Sequence, residues 1–147
     1  MRVLLAGLLI FGLLVTTSMA EARSTDYKLK IADVLNSAEG KQKLGSDVAF
    51  YFADQKPPSI AQTFGEYISN KKSNSFGRPD EEACQRAMLS ALIEFRERAL
   101  KEGGNAVTNL VSYYQKVTFS SDTDYQCYAG GFVAGVALKG TVVKLKK

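Results

Sequence analysis

The segment DEEACQRAMLSALIEFRERALKEGG, Asp80 to Gly104, constrains the fold more than any other part of this chain. Cys84, Met88, Ala91, Leu92, Phe95 and Ala99 recur at three- and four-residue steps, which puts them on one face of a helix. Asp80 is placed to cap the helix start, and Glu81 and Glu82 put negative charge where the macrodipole favours it. Glu82–Arg86, Glu94–Arg98 and Glu97–Lys101 are acid-first i,i+4 pairs. Gly103 and Gly104 stand where a left-handed residue ends a helix. A helix from Asp80 to about Glu102 with one broad apolar face needs a surface to lie on, and strands are what the rest of the chain offers.

VAFYFAD, 48–54, and TFGEYIS, 63–69, are rich in β-formers and read as strands. Pro57 and Pro58 break the chain between them. NKKSNSFGRP, 70–79, reads as a polar loop leading into the helix. After the helix, 105–119 is β-rich, SSDTD (120–124) is a turn, and YQCYAGGFVAGVALKGTVVKL returns as one long strand. In that strand Val136, Leu138 and Val142 share one face, while Ala137, Lys139, Thr141 and Val143 share the other. Its glycines mark bends or close approaches. Leu29 to Leu44 reads as one or two short helices interrupted at Gly40. The fold class is therefore α+β: one long helix packed on a small, mainly antiparallel β-sheet, with short N-terminal helices.

The first residues set the compartment. Arg2, the apolar run Val3 to Val15 and the small residues Ser18 and Ala20 form the three-part pattern of a secretory signal, with cleavage after Ala20. The run is short for a membrane span, which needs about 20 residues. The expected organisation is a signal peptide over 1–20, a flexible N-terminal arm over 21–27 and a single α+β domain over 28–147. The location is periplasmic or secreted, with no integral membrane span after cleavage. In such an oxidising compartment the only two cysteines, Cys84 and Cys127, read as a structural disulfide. A redox-active pair is the alternative, although such pairs usually stand as C-x-x-C.

Chemistry is sparse. Gly140 precedes Thr141 directly and Lys139 lies on the wrong side, so the glycines are not a phosphate loop. The chain has no histidine, which removes the usual base of a nucleophilic triad and the commonest zinc ligand. Asp122 and Asp124 flank a turn and fall short of a calcium loop. Glu81 and Glu82 point in different directions on a helix and make a poor acid–base pair. The formal net charge of +4 is spread over scattered lysines and not a basic stripe with interleaved aromatics, so no nucleic-acid partner is expected. No cofactor and no metal are expected.

Aromatic residues remain. Adjacent strand residues face opposite ways, so one of Tyr51 and Phe52, and one of Tyr113 and Tyr114, should point outward. Outward tyrosines serve either cross-strand packing or recognition. The candidate binding surface is Tyr51, Tyr67, Tyr113, Tyr114 and Tyr125, with Lys71 and Lys72.

EEACQRAMLSALIEFRERALKEGGNAVTNLVSYY followed by DYQCYAGGFVAGVALKGTVVKL resembles a family of small exported bacterial proteins that often carry the label "excinuclease ATPase subunit". VAFYFADQ and FGEYISNKKSNSFG belong to the same resemblance. The label's activity does not fit a chain with no Walker motif, no zinc-finger cysteines and an export signal. The core is more distantly similar to the RcsF-like and YbjQ-like fold, in which a helix packs on a small sheet. That resemblance implies an envelope sensor in the first case and a ring oligomer in the second. This chain has one cysteine pair and no lipid anchor, and nothing in it supports the metal sometimes ascribed to YbjQ-like domains.

The functional expectation is a non-enzymatic binding or envelope-homeostasis module. Its partner would be an envelope protein or peptide, or a second copy of the chain. The alternatives are a secreted inhibitor of a cell-wall-lytic hydrolase, acting through the 70–79 loop, and an enzyme of unrecognised type.

Overall fold

The structure is a computed structural model and describes residues 23–147. The signal peptide expected over 1–20 lies outside the described residues. The elements run β1 (Thr25–Lys30), α1 (Ile31–Leu35), α2 (Ala38–Leu44), β2 (Ala49–Phe52), β3 (Ile60–Asn74), α3 (Asp80–Glu102), β4 (Ala106–Ser112), β5 (Asp124–Ala129) and β6 (Val133–Leu145), with a 3-10 turn at Tyr114–Lys116. This is the expected α+β class: a mixed, mostly antiparallel six-stranded sheet with one long helix.

β6 organises the sheet. β3 pairs with it antiparallel from Asn74↔Val133 to Ile60↔Leu145. On its other side β6 meets β5 at Tyr128↔Gly135 and Ala129↔Ala134, then β4 from Ser112↔Leu138 to Ala106↔Val143. β1 extends the β5 side antiparallel, and β2 extends the β4 side in parallel. Close approach explains one glycine of β6. A Cβ on Gly140 would come within 2.7 Å of Leu110 and 3.0 Å of Val107.

α3 covers the inner face of this sheet. Ala83, Cys84, Ala87, Met88, Leu89, Ala91, Leu92, Phe95 and Ala99 are buried, as the helical spacing requires. They meet Val136, Leu138 and Val142 of β6 together with Val107, Leu110 and Cys127 in one core. Gly103 ends the helix at φ +84°, the left-handed conformation that glycine adopts without a Cβ clash. Cys84 and Cys127 are joined, with Cα atoms 5.9 Å apart and both residues fully buried. The bond ties the first turns of α3 to the middle of β5.

Several local expectations are corrected. Residues Thr25–Tyr27 of the expected flexible arm, with Lys28–Lys30, form β1, because the alternating TDYKLK run pairs residue for residue with β5. The break between α1 and α2 falls at Asn36–Ser37, not at Gly40. Ser37 caps α2 by accepting a bond from the Gly40 N–H, and Gly40 lies against the Val34 carbonyl where a Cβ could not fit. β3 runs on through Asn74, so only 75–79 remains as loop. The long final strand is a hairpin, β5 and β6, turning at Gly130, Gly131 and Phe132. Asp80 is the first helical residue and Pro79 occupies the cap; the Asp80 carboxylate bonds elsewhere. Of the three expected ion pairs on the helix, Glu82–Arg86 forms at 3.3 Å, Glu94 turns to Lys71 and Arg98 to Glu102, and Glu97 and Lys101 do not pair.

Candidate binding surface

The sheet ends in two turns that lie side by side. One is the β3–α3 loop, Ser75 to Pro79, and the other is the Gly130–Phe132 turn of the β5–β6 hairpin. Polar bonds lock them together. The Ser75 N–H donates to the Phe132 carbonyl at 2.9 Å, and the Ser75 hydroxyl donates to the Gly130 carbonyl at 2.7 Å. The Phe76 N–H donates to the Asn74 side chain at 2.8 Å, and the Gly130 N–H donates to the Val133 carbonyl at 2.9 Å. Ser75 is buried beneath them.

This frame holds two phenylalanines in water. Phe76 is 66% exposed, Phe132 71% and the neighbouring Val133 46%. The two rings stack with centroids 5.5 Å apart and planes 4° from parallel. Large apolar side chains on turn tips usually fold back onto a core; here the backbone bonds hold both outward. Arg23 runs along one flank, its carbonyl so close to Gly130 that a Cβ there would come within 2.8 Å. The Arg23 guanidinium grips Asp80 at 2.6 and 3.1 Å, and the Tyr27 hydroxyl donates to the same carboxylate at 2.7 Å. Those bonds, from Arg23 first and Tyr27 second, lower the Asp80 pKa from 3.8 to about 2. Arg78 sits on the other flank beside Glu82 at 3.8 Å.

The residues singled out from the sequence fall into three places. Tyr67, Ser69 and Lys71 alternate along β3 and face α3. The Tyr67 ring lies under the Arg98 guanidinium, 4.5 Å away, and its hydroxyl donates to Glu102 at 3.3 Å. Ser69 donates to Glu94, which also pairs with Lys71 at 3.1 Å. Burial raises the Glu94 pKa, but the bonds from Ser69 and Lys71 outweigh it and leave it below the usual range. Lys72 faces the other way and is exposed, with no ion-pair partner among the described residues.

Tyr113 and Tyr114 lie on the outer face, beyond the end of β4, so strand alternation does not apply to them; both are half-buried. Tyr114 stacks on Tyr128 at 3.9 Å, and Lys139 sits 4.3 Å above the Tyr113 ring. These contacts favour packing over recognition at that pair. Tyr51 is half-buried and Phe52 buried, as alternation requires.

Tyr125 is a correction. It is 1% exposed and belongs to the core, because it shares a strand face with Cys127 and Ala129. Its hydroxyl has no hydrogen-bond partner among the described residues. Burial, and then the charges of Glu81 and Asp33, push its pKa upward.

Phe76 and Phe132 were not singled out from the sequence. Phe76 stands alone among turn-forming residues, where periodicity is silent, and Phe132 falls in the segment read as one long strand, in phase with Val136 and Leu138 of its buried face. The available signal was the setting itself: Ser-Phe-Gly and Gly-Gly-Phe place a large apolar ring where a chain turns outward.

An open depression lies between α2 and β2, lined by Leu35, Leu44, Val48 and Phe50 together with Lys41 and Ser46. The far edge of β3 pairs with no strand among the described residues. Its register shifts between Ile60 and Gly65, and its exposed Lys72, are features that blunt strand addition. Among the described residues no three metal-binding side chains converge, and no helix is long and apolar enough to cross a membrane. Comparison with protein-family models, curated proteins and solved structures finds no match for this chain.

Proposed function

We propose that this protein is a non-enzymatic binding module of the periplasm or extracellular space, and that it grips its ligand through the Phe76–Phe132 tip. The observation that carries the reading is the pair of stacked, exposed phenylalanines on two turns braced by Ser75. Leaving apolar rings in water forgoes the stabilisation that burial gives. An exposed apolar patch of a few hundred Å² matches the largest patch on an ordinary monomer, and such patches are often functional. The bracing means that little conformational freedom is lost on binding, which favours affinity. The buried Cys84–Cys127 bond supports an oxidising compartment, where such cross-links persist.

The chain contains no tryptophan, so Phe132→Trp installs a single reporter at the tip. Emission from this variant is expected to shift to shorter wavelength on titration with the soluble and membrane fractions of a bacterial envelope. The shift should weaken when Phe76→Ser is added. Emission unmoved by every fraction would remove the tip as a binding surface. A shift caused only by a purified cell-wall hydrolase, with loss of that enzyme's activity, would support the inhibitor reading in its place.

A further inference from the structure

Resting on that reading, we infer that the ligand of the tip is a lipid bilayer surface, into which Phe76 and Phe132 insert. Area argues for this first. With each aromatic side chain presenting about 200 Å² when fully open, the exposed fractions of Phe76, Phe132 and Val133 leave roughly 350 Å² of apolar surface. A stable protein interface buries about 800 Å² on each partner. The tip is therefore too small to hold a rigid protein face or a second copy on its own. A fluid apolar medium can envelop all of it.

Chemistry argues second. Phenylalanine and valine side chains offer no donor or acceptor, so the tip has nothing with which to orient a polar ligand. Its immediate rim is charged: Arg23 pairs with Asp80, while Arg78 lies 3.8 Å from a Glu82 that Arg86 approaches more closely, at 3.3 Å, so the rim keeps an excess of positive charge. Such a rim stays hydrated at headgroup depth while the rings go deeper. Lys72, exposed two residues before Asn74, adds attraction to anionic headgroups.

Apolar insertion on this scale gives reversible binding. A single myristoyl chain, at about 10⁴ M⁻¹, is the nearest comparison. Anionic lipid should therefore tighten binding appreciably.

The test uses purified Phe132→Trp protein and vesicles of phosphatidylcholine, with or without phosphatidylglycerol. The expected result is a blue shift and protection from acrylamide with the mixed vesicles, and a weaker response with phosphatidylcholine alone. Adding Phe76→Ser should cut vesicle affinity at least fivefold. Both changes are at exposed positions, and an unchanged circular dichroism spectrum with an intact disulfide would confirm folding. Emission that ignores vesicles but shifts with a soluble envelope protein overturns the lipid assignment and leaves the tip as a binding surface. A shift that grows with protein concentration in the absence of vesicles assigns the tip to self-association and also overturns it. No response to vesicles, to envelope fractions or to concentration overturns both readings.

Discussion

Reducing the Cys84–Cys127 bond is a clean perturbation because it leaves every side-chain atom of the core in place. The bond closes a loop with a sequence separation of 43. Loop-closure entropy for that length amounts to about 4 kcal/mol at 25 °C. Small domains have roughly 5–15 kcal/mol of total stability, so the cross-link accounts for a large share. Urea slopes for domains of this size are about 1–3 kcal/mol/M, which predicts a drop in the unfolding midpoint of roughly 2 M on reduction. The assay is equilibrium urea unfolding by circular dichroism, with the thiol state of each sample established by mass. Cys84→Ala with Cys127→Ala should fall lower still, because both sulfurs are buried and their loss leaves cavity volume. Oxidised and reduced midpoints that coincide would refute the reasoning, since the bond would then place no effective restraint on the unfolded chain.

Two further outcomes are expected. The Asp80 pKa is depressed from 3.8 to about 2, so its pairing stabilises the fold above about pH 4 and is lost as pH falls through about 2. Asp80→Asn should then be less stable than the parent at neutral pH, and the difference should close between about pH 4 and pH 2. A constant difference across that range in pH-dependent unfolding would show that the Arg23–Asp80 contact does not carry it. Tyr125→Phe removes a buried hydroxyl without a partner, and a gain of about 1–3 kcal/mol is expected in urea unfolding; a loss would show that the hydroxyl is hydrogen-bonded.

How far the sequence reveals this molecule depends on what kind of force holds each part. α3 was legible because its burial is apolar and periodic over 23 residues, with a glycine stop. The disulfide was legible because two cysteines admit one pairing. The last residues of β3, 70–74, were not, because Lys71 attaches to α3 through Glu94 and not by apolar burial, so NKKSN reads as a solvated loop. β1 was hidden for a similar reason: its exposed positions are charged and the strand is only six residues long. The hairpin was hidden because Gly130 and Gly131 suit a bend in one strand as well as a turn between two. Tyr125 could have been placed correctly. It stands two residues from Cys127, so whatever face takes the disulfide takes its ring as well. Phe76 belongs to no period and Phe132 to the period of a strand that stops short of it, and only the bonds around Ser75 show that both are held outward.

The insertion of the tip is tested most directly by depth. Phe132→Trp protein bound to vesicles carrying bromine at defined positions along the acyl chain should be quenched most strongly by bromines near the headgroup end, and at equal lipid the quenching should weaken when Phe76→Ser is added. Emission untouched by bromine at any depth, in protein shown to sediment with the vesicles, would mean that some other surface meets the membrane.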